Sequence, residues 1–217
     1  MCKVSIYSNN KGFILTSSRD ISNKREHSLP PKISTINNIK IISPIDPQGK
    51  GSWIGASYNL AACLLNHDGK NSPKSISRGL LLIKLLSKQI NIEDIEKVCK
   101  DYNPFNLLLI NIKSNFINQH IWDGQKYQKL EILENQKIFL SNSIYSSEEI
   151  EYYNNNFNSL DYNNLTADKI YNFHVSQNNL YNLKDKKTTS ITQISNIDKI
   201  SIKYIDMLKH SIYRSNL

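Results

Sequence analysis

Cys2 directly follows Met1, and a cysteine in that position is open to one particular chemistry. Its small side chain permits removal of Met1, which would leave a single residue carrying both a thiol and a free α-amine. Their reference pKa values are about 8.5 and about 8. Both groups then change protonation near neutral pH, so Cys2 could act as a nucleophile with its own amine as base. A strand beginning at Cys2 would pin this terminus inside a sheet, which that chemistry requires. The plain alternative is an ordinary second residue. Arg19 and Asp20 bear on the choice, because they end the segment that runs back toward Cys2. A guanidinium beside a thiol favours thiolate, and a carboxylate holds an ammonium. An Arg-Asp pair at a strand end is also common on protein surfaces.

The first twenty residues read as the hairpin that would bring these groups together. Val4, Ile6, Phe13 and Leu15 alternate, and Asn9-Asn10-Lys11-Gly12 supplies the turn. The polar stretch from Ser22 to Asn38 reads as a long loop, with Pro30-Pro31 forbidding helix. Short strands are predicted at Ile39–Ile42, Trp53–Tyr58 and Leu60–Leu65, the first two joined by the turn-rich Asp46-Pro47-Gln48-Gly49-Lys50-Gly51. Helical spacing follows over an apolar stretch to Leu86, with Ser77 as N-cap, and over Ile92 to Lys100. Leu107–Ser114, Ile117–Trp122, Tyr127–Ile132 and Lys137–Ser141 read as a meander. Helices are predicted at Ser147–Asn155 and Thr166–His174, and a final hairpin at Thr188–Ile194 and Ile200–Ile205. Strands dominate both ends and helices sit in blocks between them. This is an α+β pattern, two sheets packed together and covered by helices rather than a doubly wound parallel sheet.

Composition narrows the function classes. The 217 residues carry no Pro/Gly/Ser-rich divide. They fall within the roughly 200–250 residues that sheet-rich single domains reach, so one domain over 1–217 is expected. The longest apolar runs, Leu80–Leu86 and Leu107–Ile110, fall far short of the ~20 residues that cross a bilayer. The N-terminus lacks the charged, apolar and cleavage regions of a secretory signal, which makes a cytoplasmic protein the expectation. The formal charge of +8 comes from dispersed lysines without an aromatic-and-basic stripe, so nucleic acid is not the expected partner. Cys63 and Cys99 read as small core residues. The five histidines show no metal-ligand spacing, and no cofactor is expected. His67, in Asn66-His67-Asp68-Gly69, reads as a turn residue, with approach to a site as the alternative. Trp53 is either a pocket wall or a core anchor.

Several motifs in order resemble the NRDE family, the family of transport and Golgi organisation protein 2. Met1-Cys2 followed by Ser18-Arg19-Asp20 resembles its opening. Asp46-Pro47-Gln48-Gly49-Lys50-Gly51-Ser52-Trp53-Ile54-Gly55 resembles its glycine-rich Gly-Gly-Thr-Trp-(Leu/Ile)-Gly element. Leu64-Leu65-Asn66, Ser77-Arg78-Gly79, Asp101 to Leu108 and Leu140-Ser141-Asn142 match further elements in the family's order. Ser18 stands where the family has Asn and Ile21 where it has Glu. Near the C-terminus Lys187 stands where a Thr-Arg-Ser-Ser-Thr-like strand has Arg, which weakens any role needing a bidentate guanidinium. The resemblance implies a four-layer αββα sandwich of two mainly antiparallel sheets, like the N-terminal-nucleophile hydrolases. It implies that Cys2 attacks an amide or acyl carbonyl, tuned and oriented by Arg19 and Asp20. Asn66 and Asn142 would contact the oxyanion and the α-amine, or simply terminate strands. The partner implied is a small amide or acyl substrate, or haem or an acyl lipid if the fold serves trafficking without catalysis.

Overall fold

In the computed structural model, described for residues 3–22, 24–69, 74, 76–143, 145–176 and 186–217, the alternating N-terminus forms its hairpin. Strand β1 (Lys3–Asn9) pairs with β2 (Gly12–Ser22) from Lys3↔Ser18 to Asn9↔Gly12. The strands β3 (Leu29–Ile36), β4 (Ile39–Ile45), β5 (Ile54–Ser57) and β6 (Leu60–Asn66) follow. Next come helix α1 (Arg78–Leu86), the short helix α2 (Ile95–Val98) and strands β7 (Phe105–Asn111), β8 (Ile117–Trp122), β9 (Tyr127–Ile132) and β10 (Gln136–Leu140). Helices α3 (Ser147–Asn158) and α4 (Ala167–Ser176) precede β11 (Lys186–Ser195), β12 (Ser201–Asp206) and β13 (Ser211–Asn216).

These strands form two antiparallel sheets. One has six strands in the order β10-β1-β2-β11-β12-β13, the other seven in the order β3-β4-β5-β6-β7-β8-β9. Side chains alternate across each strand, so each sheet has two apolar faces. Val4, Ile6, Phe13 and Leu15 meet Ala61, Cys63 and Leu65 between the sheets. The outer face of the seven-stranded sheet packs on α1 and α2 through Leu64, Leu107, Leu82, Leu85 and Ile95. The outer face of the six-stranded sheet packs on α3 and α4 through Tyr7, Ile14, Tyr153, Phe157 and Ile170. The result is the four-layer αββα sandwich.

Four details differ from the sequence reading. The stretch read as a loop from Ser22 contains β3, an edge strand. Its prolines lie at the register irregularity between Leu29 and Lys32, and on an edge their missing N–H breaks no ladder. No residue of β3 is buried, so burial left no alternation in its sequence. Strand β13, also a largely exposed edge, escaped for the same reason. Strand β10 does not extend the meander but crosses to the other sheet and pairs with β1, Lys3↔Leu140. The helix read over Ile92 to Lys100 is one turn of α-helix between the 3-10 turns Ile92–Asp94 and Cys99–Asp101. Ser77 does hold the N-cap position of α1, without a side-chain cap bond.

Candidate functional site

The far end of β2 carries the charged pair, and both residues are buried: Arg19 and Asp20 are each 2 % exposed. Alternation sends them to different neighbours. The Arg19 guanidinium lies over the Trp53 ring, Cζ 4.7 Å from its centroid, and Nη2 donates to Asp46 Oδ1 at 3.2 Å. Arg25 pairs with the other oxygen of the same carboxylate. Burial pulls the Arg19 pKa down, and Asp46 pushes back. Asp20 accepts hydrogen bonds from Thr188 on β11 and from Tyr145 Oη, at 3.4 Å for the latter. The β2–β11 ladder shifts register between Thr188 and Ser190. There Thr189 Oγ1 donates to the Arg19 carbonyl at 3.1 Å.

Two glycine motifs that are far apart in sequence meet beside this pair. The connector from β4 to β5 is closed by the bridge between Asp46 and Gly51, with Asp46 N–H donating to the Gly51 carbonyl at 2.9 Å. Gly51 lies so close to Gly79 that a Cβ would meet the Gly79 carbonyl carbon at 2.3 Å. Ser52 N–H donates to the Gly79 carbonyl at 3.2 Å. Any side chain at Gly51 would drive the connector away from the start of α1. This contact sets Asp46, Trp53 and Arg78 around one space. Trp53 therefore serves as both core anchor and wall.

That space is a cavity of about 400 Å³ whose lining includes Arg19, Asp20, Ile21, Trp53 and Asn66. Lys24, Arg25, Asp46 and Arg78 complete its charged wall. Four cations (Arg19, Lys24, Arg25, Arg78) face two carboxylates (Asp20, Asp46), an excess of two positive charges. Arg78 Nη1 donates to the Pro104 carbonyl at 2.8 Å, and its pKa is lowered by burial and by the charge of Arg25. Among the described residues no three His, Cys, Asp or Glu side chains group as a metal site.

The remaining residues singled out in the sequence take varied places. Cys2 lies outside the described residues; Lys3, joined to it, pairs with Ser18, the neighbour of Arg19. Asn66 lines the cavity, and its carbonyl accepts from Ser141 Oγ at 2.7 Å. Asn142 does not line it: its Oδ1 accepts from Asp68 N–H at 2.8 Å, lacing the end of β10 to the end of β6. His67, half-buried, also stands outside the lining. Cys63 and Cys99 are buried in the core, and burial pushes the Cys63 thiol up to about 12.

The departures from the family motif have distinct settings. Ile21 is buried and lines the cavity, whereas Lys187, opposite it on β11, is exposed. Ser18 is buried beneath α4, its Oγ 2.7 Å from His174 Nδ1, while His174 Nε2 lies 2.8 Å from Ser5 Oγ. Sequence reasoning missed Asp46, Arg25, Tyr145 and Thr188 as neighbours of the Arg-Asp pair, and His174 as the partner of Ser18. The Asp46 turn and the Ser77-Arg78-Gly79 motif were visible; that they meet was not.

A family model described as Transport and Golgi organisation 2 matches residues 1–214. The chain belongs to that family. No curated protein matches it in sequence. Two solved structures of conjugated bile acid hydrolase from Clostridium perfringens share its fold. An arginine-to-leucine variant superposes with a TM-score of 0.61 and 8% identity, covering 100% of this chain and 92% of the hydrolase. A cysteine-to-alanine variant gives 0.62 and 8%, over the same 100% and 92%. This member of the Transport and Golgi organisation 2 family thus has the sandwich of an N-terminal-nucleophile hydrolase. Its cavity sits where the ends of β2 and β6 approach the connector before β5.

Proposed function

We propose that the chain is a cysteine-dependent amidohydrolase acting on a small amide or acyl substrate, with Cys2 as nucleophile. One observation carries the reading. Arg19, Asp20 and Asn66 line a single cavity at the strand end whose neighbour, Ser18, pairs with Lys3, the residue covalently next to Cys2. The fold shared with conjugated bile acid hydrolase supports it, and a cysteine and an arginine are the residue types exchanged in those two variants.

In this reading the α-amine left by Met1 removal takes the thiol proton, and the thiolate sulfur attacks the substrate carbonyl carbon. A C–S bond forms as the carbonyl electron pair moves onto oxygen. An amide N–H from Asn66 stabilises that oxyanion. Collapse breaks the C–N bond, and the leaving amine departs with the proton held by the α-ammonium. Water then cleaves the thioester, releasing the carboxylic acid and restoring the thiol. Arg19 favours the thiolate, and Asp20 holds the ammonium. Asn142 has the lesser part of fixing the Asn66–Asp68 segment. The charged lining lends less support to a carrier of haem or an acyl lipid, since such ligands favour apolar walls.

The test is the intact mass of the untagged protein, then turnover of a panel of N-acyl amides by the wild type and by Cys2→Ala. Loss of Met1, with turnover abolished in Cys2→Ala, is the expected result. Retained Met1, or full turnover by Cys2→Ala, would overturn the assignment.

A further inference from the structure

The cation at the start of α1 has no counter-ion among the described residues. Arg78 is half-buried at the cavity wall, its hydrogen bond goes to the neutral Pro104 carbonyl, and no carboxylate lies within ion-pair distance among the described residues. Burial and the nearby Arg25 both act against its charge. Arg25 is only partly compensated, because the single Asp46 carboxylate serves it and Arg19 together. The wall is also rich in donors. Arg19 Nη1 and Trp53 Nε1 are buried with no acceptor among the described residues. A partly desolvated cation beside a second cation is costly unless an anion arrives to meet both.

We propose that the cavity recognises its substrate through an anionic group, a carboxylate or a phosphate, held between Arg78 and Arg25. Planar guanidinium forks match the paired oxygens of either anion. The cavity, about 400 Å³, is within the size range of small-molecule sites. Asp20 and Asn66 belong to the same cavity as this cationic wall. The substrate class that follows is an acyl amide or ester with a negative charge beyond the scissile bond. This deepens the hydrolase reading and rests on it only for the bond that reacts.

The experiment measures binding, so that its outcome stands apart from turnover. Calorimetric titrations of the Cys2→Ala protein at low salt would use N-acetylglycine, its neutral counterpart N-acetylglycinamide, and methyl phosphate. At least one anion should bind about tenfold or more tighter than the neutral amide, and the tighter of the two identifies carboxylate or phosphate. Arg25→Gln and Arg78→Gln should each remove that preference, while Arg78→Lys should retain part of it. The Arg25 side chain is 38% exposed, so its variant keeps the test alive if Arg78→Gln fails to fold. Equal binding of anion and amide, or an anion preference that survives Arg25→Gln and Arg78→Gln, would sink the proposal. Loss of turnover in Cys2→Ala with the anion preference intact would support both readings. Anion preference with full turnover by Cys2→Ala would remove the nucleophile alone.

Discussion

Thr188 on β11 donates its hydroxyl hydrogen to the carboxylate of Asp20 on β2, directly opposite it in the ladder. The two residues are 168 positions apart in the chain, yet this bond and that from Tyr145 orient the buried carboxylate at the cavity. A hydrogen bond to a charged group contributes about 1.5–3 kcal/mol. Thr188→Val keeps the shape and removes the donor. It should lower the stability read from urea midpoints by about 1–3 kcal/mol, and slow alkylation of Cys2 if Asp20 positions the terminus. Unchanged stability and alkylation in Thr188→Val would separate Asp20 from this partner.

Asp46 bridges two guanidiniums of unequal burial. Arg19 is buried and Arg25 is 38% exposed. Removing the exposed partner costs little, under ~1 kcal/mol for a surface pair. Removing the carboxylate leaves Arg19 charged and buried, which costs about 3–5 kcal/mol. Asp46→Asn should therefore be far less stable than Arg25→Gln in the same denaturant titration. Similar values for the two would mean that water already compensates Arg19.

Acid should weaken the fold in a defined window. Burial, with the charge of Lys3, holds the His174 pKa well below its ordinary 6.5, and burial with Lys129 holds His120 down to about 4. Unfolded, both titrate near 6.5. Below that pH the unfolded chain binds more protons than the folded one, so stability falls as pH drops. The slope is up to ~1.4 kcal/mol per pH unit for each histidine. The contribution is complete above pH 6.5, and for His120 its loss continues down to about pH 4. His120→Gln should flatten the pH dependence of the urea midpoint by about one proton. An equally steep profile in that variant would place the acid sensitivity elsewhere.

Thiol labelling separates the three cysteines. Cys63 and Cys99 are buried, and desolvation raises both pKa values, that of Cys63 to about 12. The thiolate is the reactive form, so native protein treated with iodoacetamide at pH 7.5 should take one label, found on the N-terminal peptide. Labelling of Cys63 at a similar rate would contradict its burial.

The alternation of Val4, Ile6, Phe13 and Leu15 determined the N-terminal hairpin, because a period of two leaves one face for the core. The same reasoning placed β8 and β9 at their observed bounds, and apolar spacing placed α1, α3 and α4 to within a few residues. Motif order pointed to the family and to the αββα sandwich. Edge strands β3 and β13 were illegible because exposed strands need no apolar period. The crossing of β10 to β1 was illegible because strand pairing is a non-local choice, set by which edge remains open. Arg19 and Asp20 were visible as a charged pair. Their burial, the sharing of Asp46 with Arg25 and the place of Arg78 in the cavity wall were decided only when Gly51 met Gly79 and β11 closed on β2. A local pattern encodes which face of an element is apolar. The distance between two charges on different elements depends on how whole sheets pack.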